Sequence, residues 1–286
     1  MNRGLIHAIG LAAAGFIAAG GGAHAGVVSA DVGLNPTFEQ TGPTTVTSTG
    51  GFFSGRAFVA SSGDYTGGAL SYGGPGSPQT LNFVPADVAW EYGSPSDPSF
   101  TDLQAAFPTG DYTFNLTGAS PTSVTINYAG GAYSNTPELA VASFNALQGL
   151  NAANSVTLDF NTMDPSPNAT DSFVFFSVFN ASNATVASGS FLPSDTTSVS
   201  IAGGTLMPGQ IYTFELLFSD RISGFDNVAG VPITQFYDSR TDASFSTAAG
   251  AVPEPSTWAM MLIGFGGLGL TVVRRGRKQG ALAIAG

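Results

Sequence analysis

The most constraining feature of the sequence is a charge-free apolar segment near its C-terminal end. The 19 residues from Pro255 to Val273 contain no Asp, Glu, Lys or Arg. As a helix, a segment of this length is about 28 Å long, close to the roughly 30 Å of a bilayer core. Four cations follow it, namely Arg274, Arg275, Arg277 and Lys278. Because cations beside a membrane span stay on the cytoplasmic side, the segment predicts a transmembrane helix over about 255–273 and a cytoplasmic basic tail over 274–278.

A short motif lies directly before this segment, where Pro253, Glu254 and Pro255 are followed by Trp258 and Ala259. The two prolines fix φ and remove backbone donors, so they hold Glu254 extended and accessible to a processing enzyme. In order and spacing, the motif, the Gly-rich apolar segment and the cations resemble the PEP-CTERM sorting signal. The resemblance covers only this C-terminal tail. It implies recognition by an exosortase, removal of the tail near the motif, and delivery to the cell surface or extracellular matrix of a Gram-negative bacterium, often alongside exopolysaccharide.

The tail departs from the family pattern in two places. Gly276 interrupts the cations, and residues 279–286 extend past them. The alternative interpretation is an ordinary C-terminal membrane anchor. Such an anchor requires neither the Pro-Glu-Pro motif nor glycines that weaken a helix, so the sorting signal is the favoured interpretation.

The N-terminal residues have the pattern of a secretory signal peptide over residues 1–25. Arg3 precedes an apolar run over residues 5–19, and Ala23 and Ala25 form a small-x-small cleavage site for signal peptidase. Cleavage after Ala25 would leave Gly26 as the new N-terminus. Export through the inner membrane is therefore predicted from both ends of the chain, with only transient membrane insertion.

The charge of the intervening residues excludes one class of partner. Residues 26–252 contain 18 acidic residues but only three cations, Arg56, Arg221 and Arg240, so that 3 − 18 = −15. A field of this sign repels nucleic acid. Cysteine is absent, so apolar burial must stabilise the exported fold without disulfides.

Hydrophobic alternation predicts an all-β protein. Residues 211–218 alternate with an aromatic face, and Phe173–Phe179 are apolar on both faces, as in a central strand. Further strands are predicted over 44–49, 51–60, 88–92, 112–116, 123–128, 155–160, 184–191 and 197–201. A capping box at Thr101–Gln104 predicts one or two helical turns that end at Pro108. The Gly-rich residues 61–80 are predicted to form a loop or linker.

These strands predict one or two antiparallel β-sandwich domains of the immunoglobulin or fibronectin III type. Residues 108–116 and 208–216 each place a Pro/Gly turn before a strand with aromatic alternation, about one sandwich domain apart. We therefore predict a sandwich over 27–132, a fibronectin III-like sandwich over 133–247, and a stalk with the sorting signal over 248–286.

Catalytic side chains are scarce. Both histidines, His7 and His24, lie in the predicted signal peptide, which excludes His-dependent nucleophilic catalysis and His/Cys zinc sites from the mature chain. Carboxylate chemistry such as glycoside hydrolysis remains. Four glutamates precede the sorting motif, Glu39, Glu91, Glu138 and Glu215, and we expect most of them to be solvated. No catalytic or metal site is therefore predicted.

The oxygen-rich residues 159–164 and 220–227 are the best candidates for Ca²⁺ ligands, but both lack an EF-hand pattern and favour a turn-forming role. No cofactor is therefore expected. The favoured function is a structural or adhesive role in an exopolysaccharide-rich envelope layer, without enzyme activity. The alternatives are a secreted carbohydrate-binding module, which would use exposed aromatic residues such as Trp90, Tyr92 or Tyr133, and a carboxylate-dependent glycosidase.

Overall fold

A computed structural model describes residues 26–249, and both predicted targeting segments lie outside the described residues. The strands are β1 (Val27–Gly42), β2 (Thr45–Val59), β3 (Tyr65–Ser71), β4 (Gln79–Thr80), β5 (Asn82–Val84), β6 (Ala89–Gly93), β7 (Gly110–Gly118), β8 (Thr122–Tyr128), β9 (Val156–Asp159), β10 (Asp171–Asn180), β11 (Thr185–Pro193), β12 (Ser198–Ile201), β13 (Ile211–Asp226) and β14 (Val231–Ser246). The helices are α1 (Phe100–Ala106) and α2 (Val141–Leu147).

Three sheets form the fold. The largest has eight strands in the order β11-β10-β13-β14-β1-β2-β6-β5, and the smaller sheets have the orders β4-β3-β7-β8 and β12-β9. Neighbouring strands are antiparallel except β1 and β14, which pair in parallel with Ala30 opposite Ile233. The predicted all-β sandwich class is confirmed. The parallel pair at the centre of the large sheet was not predicted, since an entirely antiparallel sandwich was expected.

Two apolar cores lie on one side of the eight-stranded sheet. The first core lies between this sheet and the four-stranded sheet, and it includes Phe53, Leu70 and Phe114. The second lies beneath α2 and the two-stranded sheet, and it includes Leu158 and Phe214. Strand β14 contributes to both cores, because side chains alternate across a strand and its odd-numbered residues all face this side. The large sheet therefore joins the two cores.

The chain passes from the first core to the second across the same side of the sheet. The Gln40 side chain donates to the Leu139 carbonyl (3.0 Å) and accepts from the Leu139 amide (2.9 Å). Thr241 Oγ1 donates to the Pro137 carbonyl at 2.6 Å. These buried bonds hold the crossing segment close to the boundary predicted between residues 132 and 133. The division into two domains stays a prediction, since one sheet serves both cores.

Most predicted strands coincide with observed ones. The strands predicted over 88–92, 112–116, 123–128, 155–160, 173–179, 184–191, 197–201 and 211–218 overlap β6, β7, β8, β9, β10, β11, β12 and β13. The strands predicted over 44–49 and 51–60 are one strand, β2, with an irregularity at Gly50. Its φ of +100° and the closeness of the Asp97 carbonyl both require glycine.

The prediction that residues 61–80 form only a loop or linker was wrong. Strands β3 and β4 lie within this segment, and Tyr65 and Leu70 are buried in the first core. Pairing of β3 with β7 overrides the Gly-rich composition. The short helix α1 is confirmed, but its N-cap is Ser99, whose Oγ accepts from the Asp102 amide, instead of Thr101. Strands β1, β5 and β14 and helix α2 were not predicted.

Candidate functional site on the outer face of the large sheet

The side of the eight-stranded sheet that points away from both cores carries a concentration of charged and aromatic residues. We call it the outer face. On β13 the even-numbered residues Tyr212–Phe218 enter the second core, so the odd-numbered residues face outward. By the same alternation, all three arginines of residues 26–249 lie on this face, on β2, β13 and β14. The outer face is therefore the candidate functional site.

Arg56 forms the shortest ion pair of this face. Its Nε and Nη2 donate to the two carboxylate oxygens of Asp31 at 2.9 and 2.7 Å, a bidentate arrangement that is strong and directional. The guanidinium also lies 5.3 Å from the Phe58 ring and 5.7 Å from the Phe236 ring. Burial, the largest single influence, would lower the pKa of Arg56, but Asp31, Glu91 and Asp238 together outweigh burial and raise the pKa. Arg56 thus stays charged and fixed in place.

A second cluster surrounds Arg240. Its Nη1 lies 3.2 Å from Glu215 Oε2, and its Nη2 lies 3.2 Å from Asp242 Oδ2. Glu215 and Asp242 are direct cross-strand partners on β13 and β14, so one guanidinium bridges two neighbouring carboxylates. This arrangement neutralises charges that would otherwise repel each other across the ladder.

Arg221 differs from the other two arginines. Its guanidinium lies 5.2 Å from the Phe173 ring, 5.9 Å from the Phe175 ring and 5.2 Å from the Phe191 ring. Within residues 26–249 the guanidinium forms no hydrogen bond or ion pair, although the Arg221 carbonyl accepts from Thr170 Oγ1 at 2.9 Å. Burial lowers its pKa. Arg221 and the three phenylalanines, which we call the Arg221 cluster, therefore combine aromatic surface with guanidinium donors that are not used within the described residues.

Two glutamates on this face are held out of water. Glu91 is 8% exposed and Glu215 is 9% exposed, and burial raises the pKa of each to about 7 against the opposing effect of its neighbouring arginine. The prediction that most glutamates are solvated was therefore wrong for these two. The alternating pattern of residues 211–218 could have singled out Glu215 as a charged residue within an aromatic strand. Its burial could not have been predicted, because it depends on the neighbouring strand β14.

The aromatic residues predicted to be exposed for carbohydrate binding are not exposed. Trp90 is buried in the first core, and Tyr92 and Tyr133 pack against it. The Tyr133 hydroxyl lies in hydrogen-bonding distance of the Tyr128 hydroxyl and donates to the Leu34 carbonyl at 2.9 Å. The burial of Trp90 follows from its pairing with Ala57, whose side chain also faces the core. A carbohydrate surface would have to use other aromatic residues.

In the oxygen-rich residues 220–227, the carboxylates accept hydrogen bonds from a turn and from buried neighbours. Asp226 accepts from the amides of Val228 and Ala229 in its own turn and from Thr125 on β8. Asp220 is fully buried and accepts from the Ser166 amide and the Ser172 hydroxyl. Within residues 26–249, no three His, Cys, Asp or Glu side chains cluster as a metal site would require.

The sequence-predicted targeting residues all lie outside the described residues, except Gly26. These are Ala23 and Ala25 of the cleavage site, Pro253, Glu254, Pro255, Trp258 and Ala259 of the motif, and the cations Arg274, Arg275, Arg277 and Lys278. The Gly26 carbonyl accepts from the Ala60 amide at 3.0 Å, so the ordered sheet begins directly after the predicted cleavage site. Neither helix of residues 26–249 has the length and apolar character to cross a bilayer.

Comparison with known proteins identifies the C-terminal tail. Residues 251–278 match the family described as the PEP-CTERM protein-sorting motif. None of the curated protein sequences matches the chain.

Two solved structures are similar to part of the chain. The BSP domain of a biofilm-associated protein is 13% identical, with a TM-score of 0.20 over 76% of this chain and 30% of that one. The FN1–FN3 domains of chicken CNTN1 are 12% identical, with a TM-score of 0.23 over 78% of this chain and 66% of that one. The chain thus covers 30% of one structure and 66% of the other, and similarity at these TM-scores indicates no function for the chain.

The sorting motif carries the functional conclusion. It marks the chain as a protein exported through the membrane to the cell surface, with an exosortase as its processing partner. The resemblance stated from Pro253–Ala259 and the following cations is confirmed.

Proposed function

We propose that the chain is a non-enzymatic structural or adhesive protein of the exopolysaccharide-rich surface layer of a Gram-negative cell. The observation that supports this role is the ion pairing on the outer face. Arg56 pairs with Asp31, and Arg240 pairs with Glu215 and Asp242. Ion pairs of this kind are strong and directional, so they help to hold neighbouring strands in a fixed arrangement. Strands β1, β13 and β14 have 16 residues each and are therefore about 50 Å long, a suitable length for a rigid surface element.

The sorting step is tested by changing the motif without changing the membrane segment. A double variant, Pro253→Ala with Pro255→Ala, keeps the apolar length and the charge but removes the two prolines that are predicted to hold Glu254 extended. We expect uncleaved precursor to accumulate in the inner membrane, whereas neutral replacement of Arg274, Arg275, Arg277 and Lys278 should disturb orientation instead. Mass spectrometry of the mature C-terminus and N-terminus measures the outcome. Normal processing of the double variant would show that the tail is only an anchor.

A carbohydrate-binding role is the second candidate, and the Arg221 cluster favours it. Phe191 is 37% exposed and Phe173 is half-buried, so the cluster presents aromatic surface beside guanidinium donors, a combination suited to polar ring-shaped ligands. Retention of the mature protein on immobilised exopolysaccharide tests this role. We expect Phe191→Ser with Arg221→Ala to abolish retention, and Phe225→Ser, at an exposed position on the hairpin tip, to serve as the control.

A glycosidase remains the least favoured candidate. The two glutamates with raised pKa lie on β6 and β13, which are separated by three strands, or about 19 Å at the usual strand spacing. An acid/base pair requires carboxyl groups about 5 to 9.5 Å apart. Glu215 has a nearby carboxylate in Asp242, but Arg240 binds both. Hydrolysis of a polysaccharide that Glu215→Gln abolishes would overturn the non-enzymatic proposal.

A further inference from the structure

One end of the eight-stranded sheet differs in character from the rest of the molecule. At this end β14 finishes, and the turns between β1 and β2 and between β10 and β11 meet it. We call it the tail-side end, formed by residues 42–45, 148–154, 180–185, 202–211 and 246–249. These segments contain no Asp, Glu, Lys or Arg, although residues 26–249 contain 18 acidic residues and three arginines. The acidic character of the protein is thus absent from this end.

Two large apolar side chains are exposed at the same end. Met207 is 70% exposed and Ile211 is 64% exposed. The backbone of Met207 is fixed on both sides, because its amide donates to the Tyr212 hydroxyl at 2.8 Å and its carbonyl accepts from Thr247 Oγ1 at 2.7 Å. The exposure therefore belongs to an ordered loop.

The loop that carries Met207 is hydrogen-bonded to the root of the C-terminal tail. The Gly209 amide donates to the Ala248 carbonyl at 2.9 Å, and the Thr247 amide donates to the Gln210 carbonyl at 3.0 Å. Only five residues, 250–254, separate the last described residue from the charge-free segment that begins at Pro255. Five residues extend at most roughly 18 Å. When the segment spans the bilayer, the tail-side end must lie within that distance of the lipid headgroups.

We propose that the tail-side end docks on the outer leaflet of the inner membrane while the sorting tail is inserted, with Met207 and Ile211 entering the interfacial region of the lipid. The lack of charge supports a lipid occupant, because an acidic surface would be repelled by anionic headgroups. Two apolar side chains form a weak contact by themselves. Residues 250–254 act as a short tether that strengthens this weak contact, because they hold the two side chains near the lipid at an effective concentration on the order of millimolar.

Docking would give the ectodomain a defined orientation before exosortase acts. Strand β13 begins at the tail-side end and runs to the hairpin that contains Val228, about 50 Å away. Val228 is 97% exposed. The outer face, which runs along the strands, would then stand upright on the membrane. This inference goes beyond the proposed surface role but shares its premise that the tail inserts.

The absence of cysteine from the chain allows a clean test with single labels. The full-length chain, as Met207→Cys or as Val228→Cys, is labelled with an environment-sensitive fluorophore and inserted into nanodiscs of phosphatidylethanolamine and phosphatidylglycerol that carry doxyl-lipid quenchers. We expect quenching to be several-fold stronger at residue 207 than at residue 228. Equal quenching at the two positions would overturn the proposal.

A second pair of variants separates docking from tethering. In the Met207→Cys background, Ile211→Asp should reduce quenching to the value at residue 228, and Val228→Asp should leave it unchanged. Persistent quenching with Ile211→Asp would show that the tether alone brings the label to the lipid. A label that is unquenched by lipid but shielded when exosortase is added would assign the surface to the enzyme and overturn the lipid proposal. Failure of the chain to insert into nanodiscs would overturn the premise itself.

Discussion

Glu215 shows how a β-sheet can keep a carboxylate nearly out of water on a face that carries no apolar core. Its neighbours across the ladder are Asp242 and Ser177, and Arg240 supplies the compensating charge. Burial still dominates and raises the pKa of Glu215 to about 7, from an ordinary value of 4.5. Between these two pH values the folded protein binds a proton that the unfolded chain releases. The contribution of Glu215 to stability is therefore largest below about pH 4.5 and declines as the pH rises to 7.

We predict that Glu215→Gln flattens the pH dependence of unfolding. The decline in the free energy of unfolding between pH 4.5 and pH 7.5 should be smaller than in the wild type by on the order of 1 to 3 kcal/mol. Urea denaturation at a series of pH values measures it. Glu39→Gln, at an exposed position, is the matched control and should leave the decline unchanged. An unaltered decline in Glu215→Gln would contradict the burial argument.

Gln40 is the residue that attaches the crossing segment to the sheet. Its side chain is 1% exposed and satisfies both the amide and the carbonyl of Leu139. We predict that Gln40→Leu, which preserves approximate volume but leaves two buried backbone groups unpaired, destabilises the protein by roughly 2 to 5 kcal/mol. Chemical denaturation measures the loss. Gln104→Leu, on the exposed side of α1, should cost less than about 0.5 kcal/mol; a similar loss in both variants would argue against the role of Gln40.

At the scale of elements, the parallel pairing of β1 with β14 is the step on which the large sheet depends. It joins the first strand of the described residues to the last, so the sheet can be completed only once the chain as far as about residue 242 is available for pairing. Gly33 lies opposite Phe236 in this pair, and a Cβ at Gly33 would meet the Phe236 carbonyl at 2.3 Å and its ring at 2.4 Å. The close approach lets the Phe236 ring cover the glycine beside Arg56.

We predict that Gly33→Ala destabilises the protein by about 2 to 4 kcal/mol, because the ring and the strand must both shift. Thermal denaturation followed by circular dichroism measures it. Gly73→Ala is the control, since a Cβ at Gly73 would have no atom within 4 Å, and it should be close to neutral. A neutral Gly33→Ala would show that β1 and β14 are further apart than described.

At the scale of the whole molecule, the shared sheet decides whether the two cores act as one. Strand β14 places Tyr237 in the first core and Phe245 in the second, so unfolding of either core disrupts the strand that the other requires. Trp90 lies in the first core and is the single tryptophan of residues 26–249. Its fluorescence therefore reports on the first core alone.

We predict that Leu158→Ala in the second core and Leu70→Ala in the first both lower the free energy of unfolding that Trp90 fluorescence reports. Both leucines are fully buried, and each truncation should cost about 2 to 5 kcal/mol. Purified residues 26–252 are unfolded in urea and followed by fluorescence and circular dichroism. The two probes should coincide in both variants. A Trp90 transition that Leu158→Ala leaves unchanged would show two independent domains.

The sequence by itself determined the features that depend on neighbouring residues in the chain. Alternation identified β13, and a run that is apolar on both faces identified β10, because both patterns depend only on residues that are adjacent in sequence. The sorting motif was also readable, because recognition by a processing enzyme depends on a short contiguous segment. Tyr112 and Tyr212, which occupy equivalent places in the two similar segments, each bond to the turn before their strand: the Tyr112 hydroxyl donates to the Pro108 carbonyl, and the Tyr212 hydroxyl accepts from the Met207 amide.

Only the tertiary structure decided the rest. Strands β1 and β14 carry Asp31 and Arg240 at positions that a sequence pattern assigns to solvent, and their charges are compensated across the sheet by Arg56 on β2 and Glu215 on β13. The same cross-strand pairing buries Glu91 and Glu215 and gathers three arginines, far apart in sequence, on one face. Tertiary contacts also turned Trp90 inward and left Met207 exposed. Burial depends on which strand lies alongside, and that pairing joins residues some 200 positions apart along the chain.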